Sequence, residues 1–374
     1  MIHGGLQIDL KKSPTATYIN HCCLRPNDLV NSTLFWQDPK LVPLRDRNNS
    51  NEWDPGCWTC QGNEAAGRTS FRTGLLEQFG TKTNLSGPQV LDLMFDIGCN
   101  LACRTCGPHS STFWQKHLTD NNIKFSNVPT VETQVDRMID ILKNLDLSNL
   151  EQVIFCGGET LLGQGYWRVA DAIADMMPNA KDKLTISFQT NGTQPINKRN
   201  YDIIEKVKTV RLNISLDGIG EQFEYLRWPA NWDQVSNNIL NIKDTAPPNL
   251  MLLIEETLSI FNLVYTNRLA DWISTNFQTD SRGDAIVHTQ HVAHGIFSLD
   301  GITQEYFDAL NTDTKKLLPT TWVERPYRIK GILAEINKFD AIRNQEWTQT
   351  FPEVAQFYNR FINSGVQPRN STLF

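Results

Sequence analysis

The chain has no cysteine after Cys156, and this is its most informative absence. A disulfide scaffold would staple the whole length. Eight cysteines confined to the first part, at 22, 23, 57, 60, 99, 103, 106 and 156, instead favour metal or cluster ligation in a reducing compartment. Long apolar runs are missing too. No stretch approaches the roughly 18 to 20 residues that cross a bilayer, so no membrane partner is expected. The opening MIHGGLQIDLKKSP lacks the basic-then-apolar order of a secretory signal, which predicts a cytoplasmic protein. Charge of one sign is scarce as well: a net charge of -6 with no long basic run gives no reason for bulk binding to nucleic acid or to a membrane surface.

What is present, from about residue 90 onward, is regular alternation. Short runs rich in Val, Ile, Leu and Phe read as strands at Val90 to Ile97, Gln152 to Cys156, Leu184 to Gln189, Val210 to Leu216, Leu250 to Ile260 and Ala285 to Val292. Between them Val135, Met138, Ile139 and Leu142, and later Trp232, Val235, Ile239 and Ile242, recur at helical spacing. Six βα units give an α/β fold, either an open doubly wound sheet or an incomplete barrel, and both place the active site at the carboxyl ends of the strands. The expected division is residues 1–85 as a loop-rich module bearing two pairs of cysteines, 86–298 as the core, and 299–374 as a helical extension that packs or forms a lid.

The first strand leads into Gly98-Cys99-Asn-Leu-Ala-Cys103-Arg-Thr-Cys106, a C-x3-C-x2-C loop. Structural zinc usually takes four ligands, and ferredoxin clusters usually four cysteines, so three thiolates imply an iron left open for another group. The competing reading is zinc completed by His109. Gly157-Gly158-Glu159 follows the second strand, where glycines let a backbone approach a ligand closely. The third strand ends at Gln189-Thr-Asn191-Gly, and the fourth at Ser215-Leu-Asp217-Gly. Asn-Gly and Asp-Gly are common turn formers, so ligand-lining and turn readings are balanced there.

Over roughly residues 90 to 295 this order of motifs resembles the radical S-adenosylmethionine superfamily. The resemblance implies a partial (βα)6 TIM-like barrel, a 4Fe-4S cluster on Cys99, Cys103 and Cys106, and S-adenosyl-L-methionine bound at the open iron. Gly157, Gly158 and Glu159 would receive its amino group, with Gln189, Asn191, Ser215 and Asp217 lining the pocket. Arg227, in Glu224-Tyr-Leu-Arg227, resembles an arginine that pairs with the cofactor carboxylate in several peptide-modifying members, a role suited to a bidentate guanidinium. Many members carry an aromatic before the third cysteine; here it is Thr105, so His288, Gln290 and His291 become candidates for adenine contacts. The reaction implied is reductive cleavage of the cofactor and hydrogen abstraction from a substrate, with a peptide as the candidate class and an electron donor such as flavodoxin or ferredoxin.

The early segment with Cys22, Cys23, Cys57 and Cys60 resembles the SPASM or twitch module of the same superfamily, which in its members follows the barrel rather than preceding it. Three readings stay open: a second 4Fe-4S cluster, a structural zinc assisted by His21, or cysteines with no metal. The alternative for the whole chain is a zinc-stabilised protein- or nucleic-acid-binding module on a non-catalytic barrel.

Overall fold

The computed structural model describes residues 5–11, 16–20, 30–50, 52–65, 67, 69–80, 85–125, 134–277, 286–293, 296–315 and 322–362. Cys22, Cys23 and His21 lie outside the described residues, as do Ala285 at the start of the expected sixth strand and residues 316–321 and 363–374 of the expected helical extension. The chain forms two compact units. The first holds residues 1–97, 128–189 and 196–211; the second holds 98–127, 190–195 and 212–374.

In the first unit the hydrogen-bonded strand order is β3 (Val30–Asn31), β2 (Tyr18–Asn20), β1 (Gly5–Asp9), β4 (Val90–Met94), β5 (Gln152–Cys156), β6 (Thr185–Thr190) and the start of β7 (Thr209–Ser215). The second unit carries the rest of β7, then β8 (Leu250–Leu258) and β9 (Val287–Val292). Strand β1 runs parallel to β4, β4 to β5, β5 to β6 and β8 to β9, whereas β2 and β3 are antiparallel additions. The order has two ends, so the sheet is open, an incomplete barrel rather than a closed one.

Strands β4 to β9 are those expected from sequence; β4, β5 and β6, buried along most of their length, read as near-continuous apolar runs, while β7 alternates. Strand β4 stops at Met94, three residues short of the expected Ile97. Its ladder ends where both neighbours end, with Met94 opposite Asp9 and Cys156. Phe95 and Ile97 beyond it stay buried as core. Strands β1 to β3 were not expected. Two of them are too short to show a period of two, and in β1 the polar Gln7 and Asp9 are as enclosed as Leu6 and Ile8, so the burial leaves no apolar-polar alternation at the water boundary.

The helices follow their apolar stripes. Val135, Met138, Ile141 and Leu142 are the buried face of the Val135–Leu142 helix in the first unit. In the same unit Phe95 packs on Tyr166 at 4.3 Å between ring centroids, and Trp167 on Phe188 at 4.4 Å. In the second unit Val235, Ile239 and Ile242 are buried, as their spacing predicts. There, Ile329, Ile332, Leu333 and Ile336 of the Pro326–Arg343 helix join Tyr225, Leu226, Phe261 and Phe351 in one core. Burial of that many large side chains makes residues 296–315 and 322–362 an integral layer of the second unit.

Candidate cofactor site

The cysteine loop is fixed chiefly through its backbone, and all its described partners below lie in the second unit. Ser111 caps the Thr112–Asp120 helix by accepting from the Trp114 amide, and donates to the Leu101 carbonyl at 2.6 Å. Thr112 Oγ1 accepts from the Cys99 amide at 3.2 Å, and Trp114 Nε1 donates to the Cys103 carbonyl at 2.9 Å. The Ala102 and Arg104 amides donate to Trp228 and Leu226 carbonyls, each at 2.7 Å. Every cysteine therefore sits on or beside a tethered peptide, a precondition for presenting three thiols together.

In the metal-free chain the surroundings of Cys103 favour its neutral form. Burial raises the Cys103 thiol above its ordinary range, the neighbouring Cys106 and Cys99 push the same way, and only the Arg227 guanidinium opposes them. Burial works against the charge of Arg227 in turn, but Asp217 and the Cys103 thiol outweigh it and hold the guanidinium firmly protonated. Asp217, 1% exposed, accepts from Arg227 at 3.0 Å and from the Thr257 amide at 2.9 Å. Arg227 Nε is buried with no hydrogen-bond partner among the described residues. The pair expected to contact the cofactor separately is thus joined, with a donor to spare.

Asn191 ties the turn after β6 to the cysteine loop. Its Nδ2 donates to Asn100 Oδ1 at 3.0 Å and lies 3.9 Å from Cys99 Sγ, while its Oδ1 accepts from the Thr193 amide and hydroxyl. Gly192 follows at a φ of 75°, and a Cβ there would press on Ile214 and Val235, so the turn requires glycine for conformation and space alike.

In the first unit, Gly157 takes a φ of 153°, and a Cβ on it would overlap the Asp96 carbonyl oxygen and the Tyr166 hydroxyl. That hydroxyl lies 3.1 Å from both the Asp96 and Cys156 carbonyl oxygens, and the Gly158 amide donates to Asp96 at 3.2 Å. Glu159 is buried, with Oε1 accepting from the Leu161 amide at 2.9 Å; the Gln189 carbonyl accepts from Thr160. Ser215 ends β7 half-buried.

Cys57 closes a short 3-10 turn capped by Asp54, and Cys60, buried, follows on the Trp58–Ala65 helix. Near it, Glu64 accepts from Ser70 Oγ and pairs with Arg72, and Ser70 caps the Phe71–Phe79 helix. Of the adenine candidates, His288 Nε2 and Gln290 Nε2 both lie on Glu256 Oε2, at 3.1 and 2.8 Å, and His291 is exposed. His109, the alternative zinc ligand, is exposed too. Among the described residues no three of His, Cys, Asp and Glu converge on a single-ion site. A cubane, whose thiolates sit on separate irons, does not need such convergence.

Residues 95–261 match the family described as the Radical SAM superfamily. This stretch of the chain is a radical SAM domain. It contains Cys99, Cys103, Cys106, Gly157 to Glu159, Asn191, Asp217 and Arg227, and ends at Phe261. No curated protein matches the chain. Solved structures with similarity include native anSMEcpe with bound AdoMet, at 16% identity and a TM-score of 0.38, covering 69% of this chain and 62% of that one. Streptococcus suis SuiB bound to precursor peptide SuiA is also similar, at 12% identity and a TM-score of 0.40, covering 93% of this chain and 74% of that one. The match to anSMEcpe spans less than two thirds of that protein's length.

Around the radical SAM domain's cysteine loop, sequence reading missed Asn100, Thr193, Arg104, Asp340 and Arg343. Asn100 and Thr193 stand beside residues that were found, so their polarity next to a motif was an available signal. Asp340 lies 236 residues from its partner Arg104. Nothing local marks it.

Proposed function

We propose that the chain is a radical enzyme that cleaves S-adenosyl-L-methionine reductively at a 4Fe-4S cluster held by Cys99, Cys103 and Cys106, and removes a hydrogen atom from a substrate. The observation that carries this reading is the tethered three-cysteine loop with Arg227 set against Cys103, inside a radical SAM domain. When bound, the cluster supplies the electron that splits the cofactor's carbon-sulfur bond to give methionine and a 5′-deoxyadenosyl radical.

The protein's own residues bind and orient. Gly157, Gly158 and Glu159 would take the cofactor's amino group through backbone oxygens and a carboxylate, Gly157 leaving the space that a side chain would fill. Arg227, held by Asp217, would pair its remaining donor with the cofactor carboxylate. Asn191 would keep the loop after β6 in register with Cys99, and Gln189 and Ser215 would be further cofactor contacts. None of these groups acts as an acid or a base in the reading. His288 and Gln290, already engaged by Glu256, are left out of the adenine contacts.

The finer proposals rest on the sequence resemblances. The substrate class is a peptide, the electron donor a flavodoxin or ferredoxin, and the setting the reducing cytoplasm. Residues 1–85 form the cysteine-bearing module, 86–298 the core and 299–374 the extension. Cys57 and Cys60, with Cys22 or Cys23, hold a second 4Fe-4S cluster. Among the described residues, no helix is long and apolar enough to cross a membrane.

Anaerobic reconstitution with iron and sulfide, followed by reductant and S-adenosylmethionine, tests the reading. The expected result is a brown protein with about four irons per chain or more that releases methionine and 5′-deoxyadenosine. Stoichiometric zinc without iron uptake would replace it with the zinc-stabilised binding module.

A further inference from the structure

The radical SAM match ends at Phe261, yet the cysteine loop leans on residues well beyond it. Arg104, between the second and third cysteines, has a fully buried side chain. One of its terminal nitrogens donates to Asp340 Oδ1 at 2.5 Å and to Gln345 Oε1 at 2.8 Å. Its guanidinium lies over the Tyr225 ring at 4.2 Å, and the Tyr225 hydroxyl donates to the same Asp340 oxygen at 2.8 Å. The other Asp340 oxygen accepts from the Trp347 amide at 2.8 Å. A carboxylate with three donors, two of them on the core beneath, is a rigid anchor for Arg104.

A second contact lies behind Cys103. Trp114, which donates to the Cys103 carbonyl, packs edge-on against Phe339 at 5.1 Å. The Arg343 guanidinium sits over Trp114 and Trp228, each at 4.7 Å, and over Phe339 at 5.3 Å. Its Nε donates to His117 Nε2 at 3.3 Å, and its two terminal nitrogens have no hydrogen-bond partner among the described residues. A buried cation met by ring faces and an imidazole, with no carboxylate in ion-pair contact among the described residues, is stabilised by negative charge placed nearby. Trp114, beneath this cation, is bonded to the Cys103 carbonyl, so Arg343 stands directly behind the cysteine loop, where a bound cluster would bring negative charge.

We propose that Asp340 and Arg343 of the Pro326–Arg343 helix are positioning residues of the cluster site, Asp340 clamping the loop through Arg104 before iron arrives and Arg343 offsetting the charge added on reduction. This rests on the function proposed above in its second half only. The clamp is a property of the metal-free chain.

The test uses the full chain with Asp340→Asn, Asp340→Glu, Gln345→Ala, Arg343→Gln and Arg343→Lys. In metal-free protein, alkylation of each cysteine is timed by mass spectrometry, with Cys57 and Cys60 as internal references in the other unit. Asp340→Asn should speed modification of Cys103 and Cys106 at least 5-fold with the references unchanged, and Asp340→Glu should recover part of the protection. If Asp340→Asn does not fold, Gln345→Ala, which removes one neutral bond to Arg104, should still give a rise of about 2-fold. Equal rates in wild type and every folded variant overturn the clamp. In iron-loaded protein, electron paramagnetic resonance at fixed potential should show about a tenfold smaller reduced fraction in Arg343→Gln, equivalent to roughly 59 mV for one electron, with Arg343→Lys near wild type. An unchanged fraction overturns the charge role. Wild type that takes up no iron overturns the proposed function and the charge role with it, while the alkylation series still decides the clamp.

Discussion

Two cysteine segments of this chain have similar spacing and unlike surroundings. Cys57 and Cys60 stand three residues apart at the start of a helix, next to Trp58, which is 71% exposed, and their local hydrogen bonds serve the turn itself. Cys103 and Cys106 have the same separation, but their loop is bonded to a helix cap, to two carbonyls at 226 and 228, and through Arg104 to Asp340. The difference lies in what a bound group would cost. Gathering three thiolates in a half-buried place is expensive unless the backbone is already ordered and a cation is at hand. Residues 98–111 meet both conditions; residues 54–65 have a capped turn and two nearby cations, Arg47 and Arg72, each already matched by a carboxylate, Asp54 and Glu64.

The sharpest way to break this comparison is Cys103→Ala. Cys103 is the thiol of the loop set beside Arg227, and its loss leaves only two ligands for the cluster. Cofactor cleavage should fall to background, read as 5′-deoxyadenosine by chromatography, and iron at this loop should be lost. Undiminished 5′-deoxyadenosine would refute the assignment of the cluster to these cysteines.

The next effect is smaller and concerns stability first. Gly157→Ala sets a methyl group against the Asp96 carbonyl, which is backbone and cannot rotate away, in a conformation few residues accept. The cost should be roughly 2 to 4 kcal/mol, measured by urea unfolding of the metal-free protein. Gly163, at a φ of 80° with open space around its Cβ position, gives the control: Gly163→Ala carries conformational strain without the clash, and should cost about 1 kcal/mol. Equal losses at the two positions would mean that close approach is not what Gly157 provides.

How far the molecule was legible in its sequence follows from which interactions are local. Strands β4 to β9 and their helices announce themselves because apolar periodicity is a property of neighbouring residues. The C-x3-C-x2-C loop, the Gly157 turn and the Asn191 turn are short for the same reason. Strands β1 to β3 were invisible because two or three residues make no pattern, and because Gln7 and Asp9 are buried against expectation. Asp340 was invisible for a different reason. A carboxylate on a helix carries no mark of a partner 236 residues away, and the Pro326–Arg343 helix, with Glu335, Asp340 and Arg343 among its buried residues, lacks the clean apolar stripe that would have shown which face packs inward. Sequence therefore disclosed the chemistry-bearing turns and withheld the layer that supports one of them.

The smallest expected effect sharpens the comparison from the other side. The double variant Cys57→Ala, Cys60→Ala should lower total iron if those thiols hold a second cluster, and leave 5′-deoxyadenosine release intact because the 98–111 loop does not depend on them for its described hydrogen bonds. Its cost to folding should be modest, on the order of 1 kcal/mol, since Cys60 is buried and loses one sulfur atom's worth of packing while Cys57 is half-buried. Iron content and unfolding are measured on the same preparation, so the two consequences separate. Iron equal to wild type, with the small loss of stability still present, would show that Cys60 is a packing residue and that residues 54–65 resemble a ligand set only in spacing.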